Sequence, residues 1–165
     1  MAFVPDGMGP AVYLGAAMDI QSTRFGSLQV DEQRIINFSS GLLGFPNHQR
    51  FALIQNGPEQ LFFWLQCITD PNLAFVVCDP ALFFRDYEVP IRPETMTELE
   101  MADPRFAQIL VICNKADEWL TGNLLGPLVI NAANCRGQQV VLTENKWTTR
   151  QPLIRLVAEP LAKSA

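Results

Sequence analysis

The chain has little of what most active sites are built from. It contains one histidine, His48, in 165 residues. His48 follows Pro46-Asn47 in a polar loop signal, where an unclustered histidine reads as a surface side chain rather than a catalytic base. There is no G-x-x-x-x-G-K-[ST] and no G-x-G-x-x-G, so neither phosphate-cradling pattern is present. The four cysteines, Cys67, Cys78, Cys113 and Cys135, show no C-x-x-C spacing, and a zinc site would have to recruit three of them from scattered positions. Free buried thiols in a reducing compartment are expected instead. Asp86 and Glu88 fall on one face of an extended segment, but two carboxylates without a visible substrate pocket do not make a glycosidase. The expectation is no enzyme, with no catalytic residue, metal or cofactor.

Long apolar runs are also missing. None approaches the ~20 residues a helix needs to cross a bilayer. Residues 1–17 hold no Lys or Arg, and so lack the basic start of a signal peptide. A soluble, cytoplasmic protein without membrane attachment is expected. Basic residues are scarce in one place above all. Between Asp79 and Asp103 stand Asp79, Asp86, Glu88, Glu94, Glu98, Glu100 and Asp103, against Arg85 and Arg92 alone. That excess equals the net charge of the whole chain, −5. It repels nucleic acid and attracts a basic partner, unless it is merely a solvated surface.

What the sequence does hold is short apolar runs separated by turn chemistry, with twelve prolines and ten glycines. The organising stretch is Leu61–Pro80, where two runs flank Thr69-Asp70-Pro71-Asn72. Aromatic and β-branched residues around such a turn predict a β-hairpin. Centring the turn on Asp70-Pro71 sets Leu65 opposite Val76 and Phe63 opposite Cys78. One face then carries Leu61, Phe63, Leu65 and Cys67 with Ala74, Val76 and Cys78, and it makes the better core face. The other carries Phe62, Trp64, Gln66 and Ile68 with Leu73, Phe75, Val77 and Asp79. It is too apolar to stand in water, so more of this chain or a partner must cover it.

Around that hairpin the pattern predicts strands over Ile20–Val30 (split at Gly26-Ser27), Arg34–Phe38, Arg50–Gln55, Val89–Ile91, Gln108–Asn114, Gln138–Thr143 and Leu153–Val157. Leu120–Asn131 breaks at Gly126-Pro127. Asn56-Gly57-Pro58 reads as a turn. Pro93–Met101 is the one helix candidate, with Met96 and Leu99 on one face. Ser39–Pro46 is a tight apolar loop whose Leu42 and Leu43 suit the plugging of a barrel end. The fold class expected is mainly β: a compact antiparallel β-barrel-like single domain with one short helix. Residues 1–17 read as a flexible extension, and residues 18–160 as the domain.

Several stretches, in order and at natural spacing, carry a family likeness. They are Thr23-Arg-Phe-Gly26, Val30-Asp-Glu32, Ile36-Asn-Phe38, Gly41-Leu-Leu-Gly-Phe-Pro46, Phe63-Trp-Leu-Gln66, Asp70-Pro71, Leu73-Ala-Phe75, Asp79-Pro80, Asp86-Tyr87, Leu120-Thr121, Asn123-Leu124, Gly126-Pro-Leu-Val-Ile-Asn131 and Gly137-Gln-Gln-Val140. Over about residues 18–157 the chain resembles FliW, the bacterial flagellar assembly factor. The resemblance implies a non-enzymatic protein that binds flagellin and also binds CsrA, a small RNA-binding translational repressor. Held in this way CsrA cannot silence flagellin messenger RNA, and accumulating flagellin releases it. The expected partners are thus proteins, with no direct nucleic acid contact, and the free protein is expected to be a monomer. Asp79, Asp86, Glu88, Glu94, Glu98 and Glu100 are the candidates for the basic repressor. Leu42, Leu43, Phe62, Trp64 and Phe75 are the candidates for flagellin. A flagellin chaperone that does not bind the repressor, and a small β-barrel hydrolase using His48, are the alternatives.

Overall fold

The two apolar runs of the organising stretch pair as antiparallel strands β5 (Phe62–Cys67) and β6 (Ala74–Cys78) in the computed structural model, which describes residues 16–55 and 61–156. The pairing is one residue away from the expected register. Phe63 lies opposite Val77, and Leu65 opposite Phe75. A slip of one exchanges the faces of a strand, so Val77 and Phe75 join Phe63, Leu65 and Cys67 in the interior, while Val76 and Cys78 turn outward. The cause is Gln66, which is wholly buried. Its amide nitrogen lies 3.1–3.3 Å from the carbonyl oxygens of Cys67, Asp70, Pro71 and Leu73. The turn wraps around this side chain instead of tightening on Asp70-Pro71.

The remaining strands are β1 (Ala17–Ser22), β2 (Gly26–Asp31), β3 (Ile36–Phe38), β4 (Arg50–Ile54), β7 (Ala107–Ala116), β8 (Trp119–Gly122), β9 (Leu128–Asn131), β10 (Arg136–Gln139) and β11 (Gln151–Arg155). One α-helix, α1, spans Pro93–Glu98. Seven strands close a barrel in the order β7-β6-β5-β4-β3-β10-β9, with β9 returning to β7. Neighbours pair antiparallel except β3 and β10, which run parallel and meet through Asn37–Arg136 and Phe38–Gly137. β7 is long enough to serve three partners. Its first half closes on β9, its middle pairs with β6, and its last residues carry β8, which in turn carries β11.

Packing follows from the alternation of side chains. Ile36, Phe38, Leu42, Phe51, Phe63, Leu65, Val77, Leu110, Leu128 and Ile130 fill the barrel. The outer face of β4 is covered by the β1–β2 hairpin through Ile20, with Ile35 and Ala52. Outside β6 and β7, Cys78, Val111 and Cys113 pack beneath Tyr87, Leu142 and Trp147. The outer face of β9 is covered by Leu99 and Met101, which follow α1 and touch Val129.

Several expected elements differ. The first hairpin turns at residues 23–25 rather than at Gly26-Ser27, which open β2. Arg34 ends a 3-10 turn, so that strand begins only at Ile36. The last strand runs Gln151–Arg155, with Val157 outside the described residues. Val89–Ile91 is not a strand, because Pro90 and Pro93 remove the donors a ladder needs. The helix ends at Glu98 rather than Met101, and Glu100 takes φ +50. The strand placed over Gln138–Thr143 begins at Arg136 and ends at Gln139. The turn at 56–58 lies outside the described residues, as do residues 1–15 of the expected extension; β1 begins at Ala17.

Candidate functional site

The acidic stretch leaves β6 at Asp79. Asp79 is buried, and its Oδ1 accepts from the backbone N–H of Ala81 (2.9 Å), which starts a single 3-10 turn. Its carboxylate shapes the chain rather than the surface. Asp86 is exposed and paired with Lys146, whose ammonium holds the carboxyl below its ordinary pKa. Glu100 meets Arg136 at 2.9 Å and Asp103 meets Arg105 at 2.7 Å. The Arg105 guanidinium likewise lowers the Asp103 pKa. All three bases come from outside the acidic stretch, so folding matches charges that composition leaves unbalanced.

Glu88, Glu94 and Glu98 remain exposed, and no ion pair joins them to a base among the described residues. α1 presents two of them. Pro93 opens it and Glu94 sits in its first turn, where a negative charge suits the helix dipole. Its C-terminal end is held from β9: Nδ2 of Asn131 donates to the Leu99 carbonyl (3.0 Å) and also reaches that of Glu100 (3.3 Å). Asn134 Nδ2 donates to the same Leu99 oxygen at 3.0 Å. Glu98 accepts from Ser39 Oγ (2.6 Å), which ties α1 to the loop carrying Leu42 and Leu43.

That loop divides the two leucines. Gly41 and Gly44 take positive φ, and Leu42 and Phe45 bridge each other's backbones. Leu42 enters the barrel core, while Leu43 is left 59% exposed. The Leu43 N–H donates to Gln139 Oε1 (2.8 Å), and Gln139 Nε2 donates to the Gly126 carbonyl (2.9 Å). Leu43, Glu98, Glu94 and the chain leaving β10 therefore share one side of the molecule. Another exposed apolar residue on that side, Val141, was not singled out from sequence, since its run reads only as a strand.

The other apolar candidates lie elsewhere. Phe75 packs on Phe45 and Phe51 against the barrel interior. Phe62 is half-buried against Phe83. Trp64 is half-buried, with Phe25 edge-on at 6.0 Å and the Arg24 guanidinium 3.9 Å above its ring. The face that had to be covered is covered by this chain, from the β1–β2 turn and from the stretch after β6. Thr23 fastens that β-turn, donating its N–H to the Pro71 carbonyl, and Ser22 Oγ donates to Gln66 Oε1 at 2.8 Å.

His48 lies 3.5 Å from Asp70 through Nε2 and rests edge-on against Phe45, while its buried Nδ1 has no hydrogen-bond partner among the described residues. All four cysteines are free and buried. Cys78 and Cys113 have their sulfurs 3.5 Å apart, and the neighbouring thiol together with burial pushes the Cys78 pKa far up, so it stays protonated. Among the described residues no group of three His, Cys, Asp or Glu is placed to hold a metal, and no helix is long and apolar enough to cross a membrane.

Comparison with known proteins decides the family. The model of the family described as FliW protein matches residues 19–153. The chain belongs to the FliW family. It is 39% identical over 140 residues to the flagellar assembly factor FliW of Magnetococcus marinus, covering 83% of this chain and 85% of that protein. The factor of the same name from Treponema denticola is 37% identical (83% and 94% covered), and that of Bacillus subtilis 33% (82% and 96%). A crystal structure of the flagellar assembly factor FliW superimposes with a TM-score of 0.76 at 29% identity, covering 86% of this chain and all of that one. The barrel with β8 and β11 carried on β7 is thus the FliW fold, and the α1 side described above lies within the matched residues.

Proposed function

We propose that this FliW family member is a non-enzymatic flagellar assembly factor that binds flagellin and antagonises a CsrA-type repressor. Its membership of a family whose relatives bear the assembly-factor name over nearly their whole length carries the reading. The local chemistry adds support. An RNA-binding repressor is basic, and the unmatched Glu88, Glu94 and Glu98 on the α1 side attract it while disfavouring RNA nearby. Asp86 and Glu100, each already paired, contribute less, and Asp79 acts by shaping the chain from within. Leu43, on the same side as α1, is the apolar candidate best exposed for flagellin. Phe62 and Trp64 lie elsewhere and half-buried, and become contacts only where flagellin reaches their partly covered edges, while Leu42 and Phe75 serve the barrel core.

Calorimetric titration of the full chain with purified flagellin and with a purified CsrA-type repressor tests this. Saturable heat with each, and loss of repressor binding once flagellin is present, is the expected result. Binding of flagellin alone reduces the function to that of a chaperone. Absence of binding to both overturns the proposal.

A further inference from the structure

After β10 the chain continues extended for several residues and leaves one of its edges open. Val140 N–H donates to the Pro127 carbonyl (3.0 Å) and Leu142 N–H to that of Leu125 (2.8 Å). Backbone groups of successive residues in an extended chain point to opposite edges. The N–H and C=O groups of Val141 and Thr143 therefore face away from 125–127, and no backbone hydrogen bond meets their N–H groups among the described residues. Burial alternates in step: Leu142 is buried, whereas Val141 is 58% exposed and Thr143 is exposed.

Beside this stretch runs a groove of about 540 Å³, lined also by Pro90, Arg92, Glu94 and Thr95. Two further observations bear on the occupant. Gln138 Oε1, in the groove lining, is buried without a hydrogen-bond partner among the described residues, so it wants a donor. Glu94 and Glu144 flank the groove with no ion pair among the described residues, against the one base Arg92.

We infer that the groove beside residues 138–144 takes an extended, basic segment of a protein partner, which adds a strand to the open edge of Val141 and Thr143. Main-chain pairing supplies the affinity common to strand addition. Glu94 and Glu144 select a Lys or Arg on the incoming strand, and a donor from it satisfies Gln138. This rests on the reading above that the α1 side receives a basic repressor, and it adds how that partner is held.

The test uses the full chain with a purified CsrA-type repressor as the probe. Val141→Pro deletes the outward N–H yet spares the inward bonds of Val140 and Leu142, whereas Val141→Ala keeps every backbone group. Val141→Pro should weaken binding about tenfold or more, the scale of losing one such bond and leaving the partner's acceptor unpaired. Val141→Ala should stay within about threefold. Hydrogen exchange provides a second measurement that needs no variant: the Val141 and Thr143 amides should exchange quickly in the free protein and become protected in the complex. Wild-type affinity for Val141→Pro, or amides unprotected in the complex, overturns strand addition. If Glu94→Lys still weakens binding in that case, the acidic-face reading survives. Amides already protected in the free protein would mean that its own chain or a second copy fills the groove, which also overturns the inference. A repressor that binds none of the proteins overturns both readings.

Discussion

Replacing Gly137 by alanine should destabilise this barrel more than any other change that adds a single methyl group to β10. Gly137 sits opposite Phe38 in the parallel β3–β10 contact, which joins the strands through only two residue pairs. A Cβ at position 137 would lie 2.5, 2.9 and 3.0 Å from three carbons of the Phe38 ring. Phe38 cannot swing aside, because it is wholly buried and packs edge-on against Phe51 at 5.8 Å. Overpacking of this kind costs about 1–3 kcal/mol, and a ring without room to move puts Gly137→Ala near 3. For a chain of this size that corresponds to a fall in Tm of about 6–12 °C. Thermal and urea unfolding followed by tryptophan fluorescence would measure it. Phe38→Leu destabilises on its own by opening a cavity, but it also makes room for the methyl. The double variant should therefore be about 1–2 kcal/mol more stable than the sum of the two single effects, within the range seen for residues in contact. A Tm for Gly137→Ala within about 1 °C of wild type, or strictly additive single effects, would refute the steric argument.

Gln66→Leu should cost about 2–4 kcal/mol, because it strands Ser22 and several turn carbonyls around a buried site; a cost below 0.5 kcal/mol in urea titration, on the same scale, would show that the amide does not organise the turn. Asn131→Ala removes one of the two side-chain donors to the Leu99 carbonyl and the contact with that of Glu100, and should cost about 1–3 kcal/mol. Faster amide exchange in α1 should accompany it, and unchanged exchange there would argue against this anchor. Tyr87 donates to the Leu124 carbonyl at 2.7 Å, and burial raises its pKa above the ordinary 10.0. Its raised folded-state value means that its contribution to stability is intact below pH 10 and is lost as pH rises beyond it. Unfolding titrations above pH 10 should accordingly show a steeper loss for wild type than for Tyr87→Phe, and parallel curves would contradict the assignment.

Much of the fold was legible because its local signals agree. Asp70-Pro71 and Gly126-Pro127 punctuate apolar runs and fall at a turn or break of the structure, whereas Gly26-Ser27 opens β2 and the turn before it is made by residues 23–25. What could not be read was non-local. The hairpin register depends on the Gln66 amide filling its own turn, and a lone polar residue in an apolar run gives no sign of that. Barrel closure by a parallel β3–β10 pair has no signature in either short strand. The charge pattern misled in a similar way. Lys146, Arg136 and Arg105 lie outside the acidic stretch, yet folding brings them to Asp86, Glu100 and Asp103. The unmatched acids are consequently fewer than the sequence suggests and gather on α1 and beside it. Leu42 and Leu43, adjacent in sequence, separate into core and surface because two left-handed glycines turn the loop between them and their neighbours.

The most direct test of a docking face built on unmatched acids is the affinity of a CsrA-type repressor for the Glu94→Lys/Glu98→Lys protein, measured by calorimetry from low to physiological salt. Weaker binding at low salt, with a shallower dependence on ionic strength than wild type, is the predicted result. Equal affinity at low salt for the reversed and native proteins would contradict it.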